Sequence, residues 1–485
     1  MSPVIAIITI IGYLAILFTV SYIAGRKATN DGFFIGGRQS SWFVVAIATI
    51  GSMISGVTFL SVPGMVQQNS FAYLQMVLGF VVGQFLIAFV LVPLYYRLKL
   101  VSIYEYLKDR FGMASYRTGA WFFFVSKMLG ASVRIFLVCL TMQLLIFTPL
   151  GIPFVVNVFL TMLVVWLYTF RGGVKSIIWT DLLKTLCLVM SVVLCIYFIA
   201  VSLGYDFNGV WQAIWDNDMS KTFFLNDVND KRFLPKQFFA GVFTMIATNG
   251  LDQDLMQRNL SCRNSKDSTK NMVVSGILQF VVVALFLMLG VLLYIFAQRI
   301  GLKCKGDELF TKVATGGHLP LVVGILFLVG LIAAAFSAAG SALTALTTSF
   351  TVDILNANRN DESGTAHKRH WVHVMMAFLM GLTIYIFNIL NSTSVIDAVY
   401  ILASYTYGPI LGMFVFGIFM KKAVHDKFIP VVAIMAPILC LIIDKHSVQW
   451  FNGYHFSYEL LILNAAITFL GLCLLIKKKQ APAHE

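Results

Sequence analysis

The sequence predicts an all-α polytopic membrane protein, and three observations support this class: composition, a series of long apolar segments, and the placement of basic residues. Of the 485 residues, 59% are hydrophobic and only 12% are charged, about half the roughly 25% that is usual in soluble domains. Together with a mean hydropathy of +0.84, this excludes an ordinary cytosolic enzyme, a disordered chain and a secreted disulfide scaffold.

Thirteen segments are long and apolar enough to cross a bilayer as helices, since a span needs about 20 mostly apolar residues. The first lacks the cleavage site of a signal peptide, so we expect it to be retained. The segments are roughly 4–25, 42–66, 71–95, 118–147, 152–170, 177–201, 237–257, 271–298, 319–350, 371–391, 394–420, 428–444 and 457–476.

The distribution of the 35 Lys and Arg residues along the chain tests the predicted number of spans. With the N-terminus outside, 23 of them fall in segments assigned to the cytoplasm and nine in segments assigned to the outside, which is the asymmetry that membrane proteins show. We therefore predict an N-out, C-in multi-pass protein of the plasma membrane or bacterial inner membrane. The same rule explains the net charge of +13, and we expect no nucleic-acid partner.

Charged residues also fall inside the predicted membrane, where charge is costly and marks candidate functional sites. The alternative for each is a satisfied structural ion pair. These residues lie within spans or at their ends: Lys127, Arg134, Lys184, Asp181, Asp252 and Asp397.

Two spans carry helix-breaking sequences, Gly51–Gly56 followed by Pro63-Gly64, and Thr248-Asn249-Gly250. They begin two blocks of five helices, 42–201 and 237–420, and paired interruptions of this kind indicate a transporter with inverted repeats. Backbone freed at membrane depth can coordinate a cation beside a cavity, although packing glycines are the alternative. Residues 1–41 would form an extra helix and loop, and 421–485 C-terminal helices with a short basic tail.

A stripe of hydroxyl side chains follows one face of the span at 319–350, because its members are spaced four, three and four residues apart. Hydroxyl oxygens together with main-chain carbonyls suit a hard monovalent cation. The alternative is a small-residue packing face whose hydroxyls bond to their own backbone. The stripe consists of Ser337, Ser341, Thr344 and Thr348.

Six motifs in order resemble the sodium:solute symporter family, which includes sugar, proline, iodide and sialic acid carriers. They are Phe34-Ile-Gly-Gly-Arg38 before Trp42, Ser52–Gly56 with Pro63-Gly64, Trp179-Thr-Asp181, Asp252-Gln253 with Gln257-Arg258, Ala333–Ser337 and Tyr407–Gly412. The resemblance implies a leucine-transporter-type fold with two inverted five-helix repeats. It also implies Na⁺-coupled inward transport of a small solute, with no enzymatic activity and Na⁺ as the coupling ion.

The family's common sodium site would map onto the carbonyls of Gly51, Ile54 and Ala334 and the hydroxyl of Ser337. Many members carry a second hydroxyl directly after that serine, and Ala338 stands there in this chain. The resemblance therefore implies a sodium site with one ligand fewer.

A possible second cation site of some relatives would map onto Asp181, Ser337 and Ser341, with Gly340 at another coordinating position. Lys184 stands where the family commonly has Gln. Because residues three apart on a helix are neighbours, we expect Asp181 and Lys184 to pair, with the tethered ammonium partly replacing a cation.

Arg134 is the most informative residue for the solute, because a guanidinium can hold a carboxylate with two parallel hydrogen bonds. In the resemblance it falls where sialic acid carriers place the arginine that binds the substrate carboxylate. We therefore predict a carboxylate-bearing solute such as sialic acid. The other expected substrate-binding residues are Ser55, Thr58, Tyr73, Gln75 and Asn249.

Other functions stay open at this point. One is a Na⁺-coupled symporter of the same fold for a neutral sugar, an amino acid or a vitamin. A channel or a solute-sensing membrane receptor is the alternative from another class. A membrane enzyme is disfavoured because all eight His residues fall in predicted loops or at helix ends, and the seven scattered Cys residues form no metal-binding pattern. We expect a chain that functions as a monomer in lipid.

Overall fold

The computed structural model describes residues 2–25, 41–98, 100, 102–304, 306–355, 362–390 and 395–477, and these are mostly helical. Several helices end in a π-helical turn, and one such turn, Ile87–Leu91, joins two α-helices directly. The α-helices are α1 (Pro3–Gly25), α2 (Trp42–Met53), α3 (Gly56–Asn69), α4 (Tyr73–Leu86), α5 (Val92–Arg97), α6 (Glu105–Arg110), α7 (Met113–Met142), α8 (Phe154–Leu203), α9 (Phe207–Trp215), α10 (Leu234–Met245), α11 (Gln253–Asn259), α12 (Ser265–Arg299), α13 (Glu308–Thr315), α14 (Leu321–Ser349), α15 (Glu362–Leu390), α16 (Val395–Phe419), α17 (Ile429–Trp450) and α18 (Leu460–Leu474).

The apolar helices agree with a multi-pass membrane protein. In the described ranges, eight helical stretches are long and apolar enough to cross a membrane, and four shorter apolar helices accompany them. Helix α8 has 50 residues, or about 75 Å at 1.5 Å per residue, which is more than twice the hydrocarbon thickness. Its two apolar parts, Phe154–Thr169 and Asp181–Leu203, match two predicted spans, but the connection between them is helical where the sequence suggested a loop.

The interruption predicted in the span at 42–66 is present. Helix α2 ends at Met53 and α3 begins at Gly56, while Ile54 and Ser55 have extended backbone with ψ of 96° and 173°. A Cβ atom on Gly51 would lie 2.1 Å from Oγ1 of Thr185 on α8. Only glycine therefore allows the end of α2 to approach α8 this closely.

The interruption predicted in the span at 237–257 is also present. Helix α10 continues into a π-helical turn, Ile246–Gly250, and the chain then leaves helical geometry before α11. Asp252 begins α11 as its N-cap, because its carboxylate accepts hydrogen bonds from the backbone N–H groups of Asp254 and Leu255. The sequence Asn249-Gly250-Leu251-Asp252 thus ends one helix and starts the next at a fixed place.

Helix α14 lies at the centre of the molecule and positions the candidate site. It packs against α8 and α7, and its alanine-rich segment is buried, with Ala333 and Ala334 fully covered. Small side chains let the neighbouring helices approach α14 closely. Two members of the hydroxyl stripe, Ser341 and Thr344, are buried and therefore face protein rather than lipid.

Candidate solute and cation site

A central cavity lies between the two helix breaks and α7, α14 and α16. Each of these elements contributes polar side chains to its wall, and α4 and α12 close it further. The polar residues of the wall are Ser52, Ser126, Lys127, Arg134, Thr244, Thr248, Asn249, Asp252, Asp254, Gln279, Ser341, Tyr400 and Tyr407. The predicted juxtaposition of the two breaks around one polar space is thus present.

Arg134 lies on α7 in the wall of this cavity and is partly exposed to it. Among the residues that the structure describes, its guanidinium forms neither an ion pair nor a hydrogen bond. Five N–H donors are therefore available to a molecule in the cavity. An acid in the wall could have occupied this guanidinium, but the wall acids Asp252 and Asp254 are bound to other cations.

The other predicted substrate-binding residues separate into two groups. Asn249 lines the cavity, and Tyr73 lies directly behind its wall, with its hydroxyl 2.6 Å from the hydroxyl of Tyr400. Ser55 is buried at the break and Thr58 is half-buried, but neither belongs to the cavity wall.

Gln75 was expected to bind the solute, but the structure corrects this expectation because Gln75 does not line the cavity. Its Nε2 donates to the carbonyl of Arg232 at 2.8 Å, and its Oε1 accepts from the backbone N–H of Phe224 at 3.3 Å. A buried amide that is satisfied by loop backbone is held in place by those bonds. Gln75 therefore fixes the loop that precedes α10.

Two of the predicted sodium ligands, Gly51 and Ile54, lie where α2 ends. Neither the Gly51 nor the Ile54 carbonyl accepts a backbone hydrogen bond within the described chain, so both have lone pairs to offer a cation. Ala334 is buried on α14, and Ala338 lines the cavity. The side chain of Ser337 lies outside the described part of the chain.

The predicted pair between Asp181 and Lys184 is wrong. Oδ2 of Asp181 lies 2.5 Å from Nη1 of Arg258, and both side chains are almost completely buried. Nζ of Lys184 is fully buried and has no hydrogen-bond partner in the described chain, and Oδ1 of Asp181 has none either. The break before α11 brings the longer, forked side chain of Arg258 to Asp181, and spacing along α8 could not reveal this contact.

A charged cluster at one end of the cavity connects α7 to α11. Nζ of Lys127 lies 3.1 Å from Oδ1 of Asp252 and 3.0 Å from Oδ2 of Asp254. Asp254 also contacts Nη2 of Arg258 at 3.3 Å. The sequence marked Lys127 and Asp252 as intramembrane charges but missed Asp254. The spacing of Asp252, Asp254 and Arg258 along one short segment was the sequence signal that could have identified Asp254.

Two hydroxyl groups complete this cluster. Tyr407 on α16 donates to Oδ2 of Asp252 at 2.7 Å, and Ser341 on α14 donates to Oδ2 of Asp254 at 3.0 Å. Ser341 was expected at the second cation site, but in the structure its hydroxyl donates a hydrogen bond to Asp254. Thr344 instead bonds to the carbonyl of Gly340 on its own helix, as the packing alternative anticipated.

Gly340 has no space for a side chain. A Cβ atom there would lie 1.9 Å from the hydroxyl oxygen of Tyr168, and that hydroxyl donates to the carbonyl of Phe336. Tyr168 thus fills the space that a coordinating side chain at position 340 would need.

Comparison with known proteins places this architecture among transporters. The sodium:solute symporter family matches residues 33–426. The sodium/sialic acid symporter SiaT of Proteus mirabilis (strain HI4320) is 25% identical over 461 residues, covering 90% of this chain and 88% of that protein. The human sodium/iodide cotransporter is 23% identical over 419 residues, covering 83% of this chain and 63% of that protein.

Solved structures show the same fold. A Na⁺-coupled sialic acid symporter in a substrate-bound outward-open state matches with a TM-score of 0.81 and 21% identity, over 97% of both chains. Mhp1, a nucleobase-cation-symport-1 family transporter, matches with a TM-score of 0.56 and 13% identity, over 91% of this chain and 94% of Mhp1. The predicted leucine-transporter-type fold is confirmed, and the match to the family also confirms Na⁺-coupled transport rather than enzymatic catalysis. The chain belongs to the sodium:solute symporter family.

Proposed function

We propose that this chain carries a carboxylate-bearing solute such as sialic acid into the cell together with Na⁺, and that Arg134 holds the carboxylate. The observation that carries the proposal is the guanidinium of Arg134, which faces the central cavity without a partner in the described chain. The sialic acid symporters among the relatives support the same class of solute. A neutral sugar would leave the positive charge of this guanidinium without a counter-charge.

The cost of an unpaired arginine favours an acidic solute. Arginine at the centre of a membrane helix costs about 2.5 to 3.5 kcal/mol on insertion scales, so a permanent partner would be expected if the residue were structural. A carboxylate satisfies the guanidinium with two parallel hydrogen bonds and leaves when the solute is released. Asn249, with its amide in the same wall, is placed to bind a hydroxyl or amide of the solute.

For the coupling ion, we assign Na⁺ to the break after α2. The carbonyls of Gly51 and Ile54 have no backbone hydrogen bond, and the Ala334 carbonyl and the Ser337 hydroxyl would complete the set. Ala338 contributes no oxygen from its side chain, so Ser337 is the one side-chain ligand of this site. Carbonyl and hydroxyl oxygens are the ligands that hard cations prefer.

For the second cation region, we propose that Lys184 supplies a fixed positive charge and that one Na⁺ moves per cycle. The contacts Lys127–Asp252–Asp254–Arg258–Asp181 join three acids and two bases, which leaves one negative charge. The buried ammonium of Lys184, one helical turn from Asp181, balances it. Ser341 is bound to Asp254, so it is less available to a cation.

We further propose that residues 42–201 and 237–420 are the two inverted repeats, since each begins with a broken helix. The excess of Lys and Arg on one side supports an N-out, C-in orientation in the plasma membrane or bacterial inner membrane. The residues proposed to bind solute and cation all belong to one chain, so transport by a monomer is part of the proposal. The composition, without a soluble basic domain, supports the absence of a nucleic-acid partner.

Uptake by proteoliposomes tests the proposed function. Radiolabelled sialic acid should accumulate inside vesicles under an inward Na⁺ gradient, saturate with concentration, and fail to accumulate when K⁺ replaces Na⁺. Equal uptake in Na⁺ and K⁺ would contradict the coupling, and a linear, non-saturating flux would favour a channel. Binding without any flux would favour a receptor.

A further inference from the structure

The charged cluster of Lys127, Asp252 and Asp254 lies at a different level of the cavity from Arg134. Lys127 and Arg134 are seven residues apart on α7, which places them on one face about 10 Å apart along the helix axis. Both line the cavity. Because Lys127 precedes Arg134 in a span that runs from its predicted cytoplasmic end, the cluster lies on the cytoplasmic side of the proposed solute position.

Helix α11 is short and is held at its beginning by this cluster. Asp252 caps the helix through two backbone N–H groups, and the same carboxylate contacts Lys127 at 3.1 Å and accepts from Tyr407 at 2.7 Å. The carboxylate therefore ties the first turn of α11 to α7 and α16 at once. Moving α11 away from α7 and α16 would break the contacts with Lys127 and Tyr407 together, while the capping hydrogen bonds would move with the helix.

The other end of α11 is held by a second buried ion pair. Arg258, in the last turn, contacts Asp181 of α8 at 2.5 Å and Asp254 at 3.3 Å. The helix of seven residues is thus clamped at both ends, while the backbone before it is non-helical at Leu251. A rigid short helix that follows a non-helical joint can pivot as a unit.

We propose that α11 is the cytoplasmic gate of the cavity and that Lys127 is the residue that holds it closed. The side chains of Lys127, Asp252 and Asp254 are only 10%, 3% and 11% exposed, so separating them requires water to replace their partners. Because separated buried charges are costly without such replacement, the gate is either closed with its contacts made or open and hydrated.

This inference rests on the proposed function for the molecule that passes the gate and on the proposed orientation for the side of the membrane that the gate faces. A carboxylate that leaves Arg134 towards the cytoplasm meets Lys127 as its next cation, and it competes there with Asp252 and Asp254. Arrival of an anionic solute would therefore weaken the contacts that keep α11 in place.

Accessibility of the cavity tests the gate without solute or uptake. Ala342 lines the cavity on α14, and Ala342→Cys provides a probe for a membrane-impermeant maleimide added to inside-out vesicles. The chain without this substitution gives the labelling of its native cysteines as background. Lys127→Met should raise the labelling rate about tenfold, because the labelling rate is proportional to the fraction of molecules with an open gate. Tyr407→Phe should raise the rate two- to fivefold.

The control removes another ammonium by the same substitution. Lys312 pairs with Glu308 at 2.5 Å in an exposed ion pair, so Lys312→Met should leave the labelling rate unchanged. Should Lys127→Met fail to fold, Tyr407→Phe carries the test, since it removes only one hydroxyl. The gate is refuted if the folded variants label within twofold of the parent, or if the increase occurs only in right-side-out vesicles. Failure of sialic acid uptake would leave this result untouched.

Discussion

Replacing Arg258 with methionine should destabilise the protein strongly, whereas Lys184→Met should destabilise it much less. The two residues are both buried cations beside Asp181, but only Arg258 contacts it, at 2.5 Å. Lys184 has a buried Nζ without a hydrogen-bond partner in the described chain. The contrast between the two variants therefore asks which cation Asp181 uses as its partner.

The expected magnitudes follow from burial. The Arg258 and Asp181 side chains are 3% and 0% exposed, and removing one partner of a buried pair costs about 3–5 kcal/mol because the other charge is left uncompensated. Arg258→Met also leaves Asp254 with one contact fewer. Lys184→Met removes a buried ammonium that makes no direct contact in the described chain and keeps most of the side-chain volume. Only the charge balance at a distance is lost, so a smaller loss of stability is expected.

Thermal unfolding of the purified protein in detergent provides the assay. Arg232→Met is the matched control, because Arg232 and Asp230 form a partly exposed pair at 2.9 Å with 35% and 25% exposure, and pairs near the surface contribute about 0–1 kcal/mol. Arg258→Met should lower Tm by several degrees, Arg232→Met by at most about one degree, and Lys184→Met by clearly less than Arg258→Met.

Two results would contradict the assignment of Arg258 as the partner of Asp181. If Arg258→Met unfolds at the same temperature as Arg232→Met, the buried pair contributes nothing. If Lys184→Met is the more damaging variant, Asp181 depends on Lys184 as the spacing along α8 first suggested. Repeating the scan in Na⁺ and in K⁺ adds a further readout, since removal of the Lys184 ammonium should increase the stabilisation by Na⁺.

Two further predictions concern the cation site and its packing. Ser337→Ala should raise the Na⁺ concentration for half-maximal uptake about tenfold or more, since a lost ligand costs about 1.4 kcal/mol or more; an unchanged Na⁺ dependence would remove Ser337 from the site. Gly340→Ala should reduce the yield of folded protein in size-exclusion chromatography, because its Cβ would meet the Tyr168 hydroxyl at 1.9 Å, whereas Gly12→Ala meets nothing within 4 Å and should behave as the parent. Equal yields of the two glycine variants would contradict the packing at α14.

The helix breaks were predictable because they are local. Gly51–Gly56 and Thr248–Gly250 contain residues that favour non-helical backbone, and in an apolar span such residues stand out. The structure places the interruptions at Ile54–Ser55 and at Leu251, within a few residues of the sequence signals. Intramembrane charge was equally visible, since Arg134 and Lys127 occur in a span without an acid.

The partners of those charges were not predictable, because they depend on how the helices pack. Asp181 was expected to bind Lys184, three residues away, and binds Arg258 on α11 instead. Gln75 was expected at the solute and is satisfied by loop backbone near residues 224–232. Sequence spacing describes one helix face, whereas these contacts join elements 77 and 157 residues apart.

Comparing an acidic ligand with its neutral ester shows whether Arg134 holds the carboxylate of the solute. Binding of sialic acid and of its neutral methyl ester is measured by calorimetry in Na⁺ on the parent and on Arg134→Lys. This variant keeps the positive charge but loses the planar guanidinium that can bind both carboxylate oxygens. The parent should prefer the acid about tenfold or more, as charge-assisted hydrogen bonds would provide, and the variant should lose most of that preference while remaining folded. If the parent binds the acid and the ester equally well, Arg134 is structural and does not hold the carboxylate of the solute.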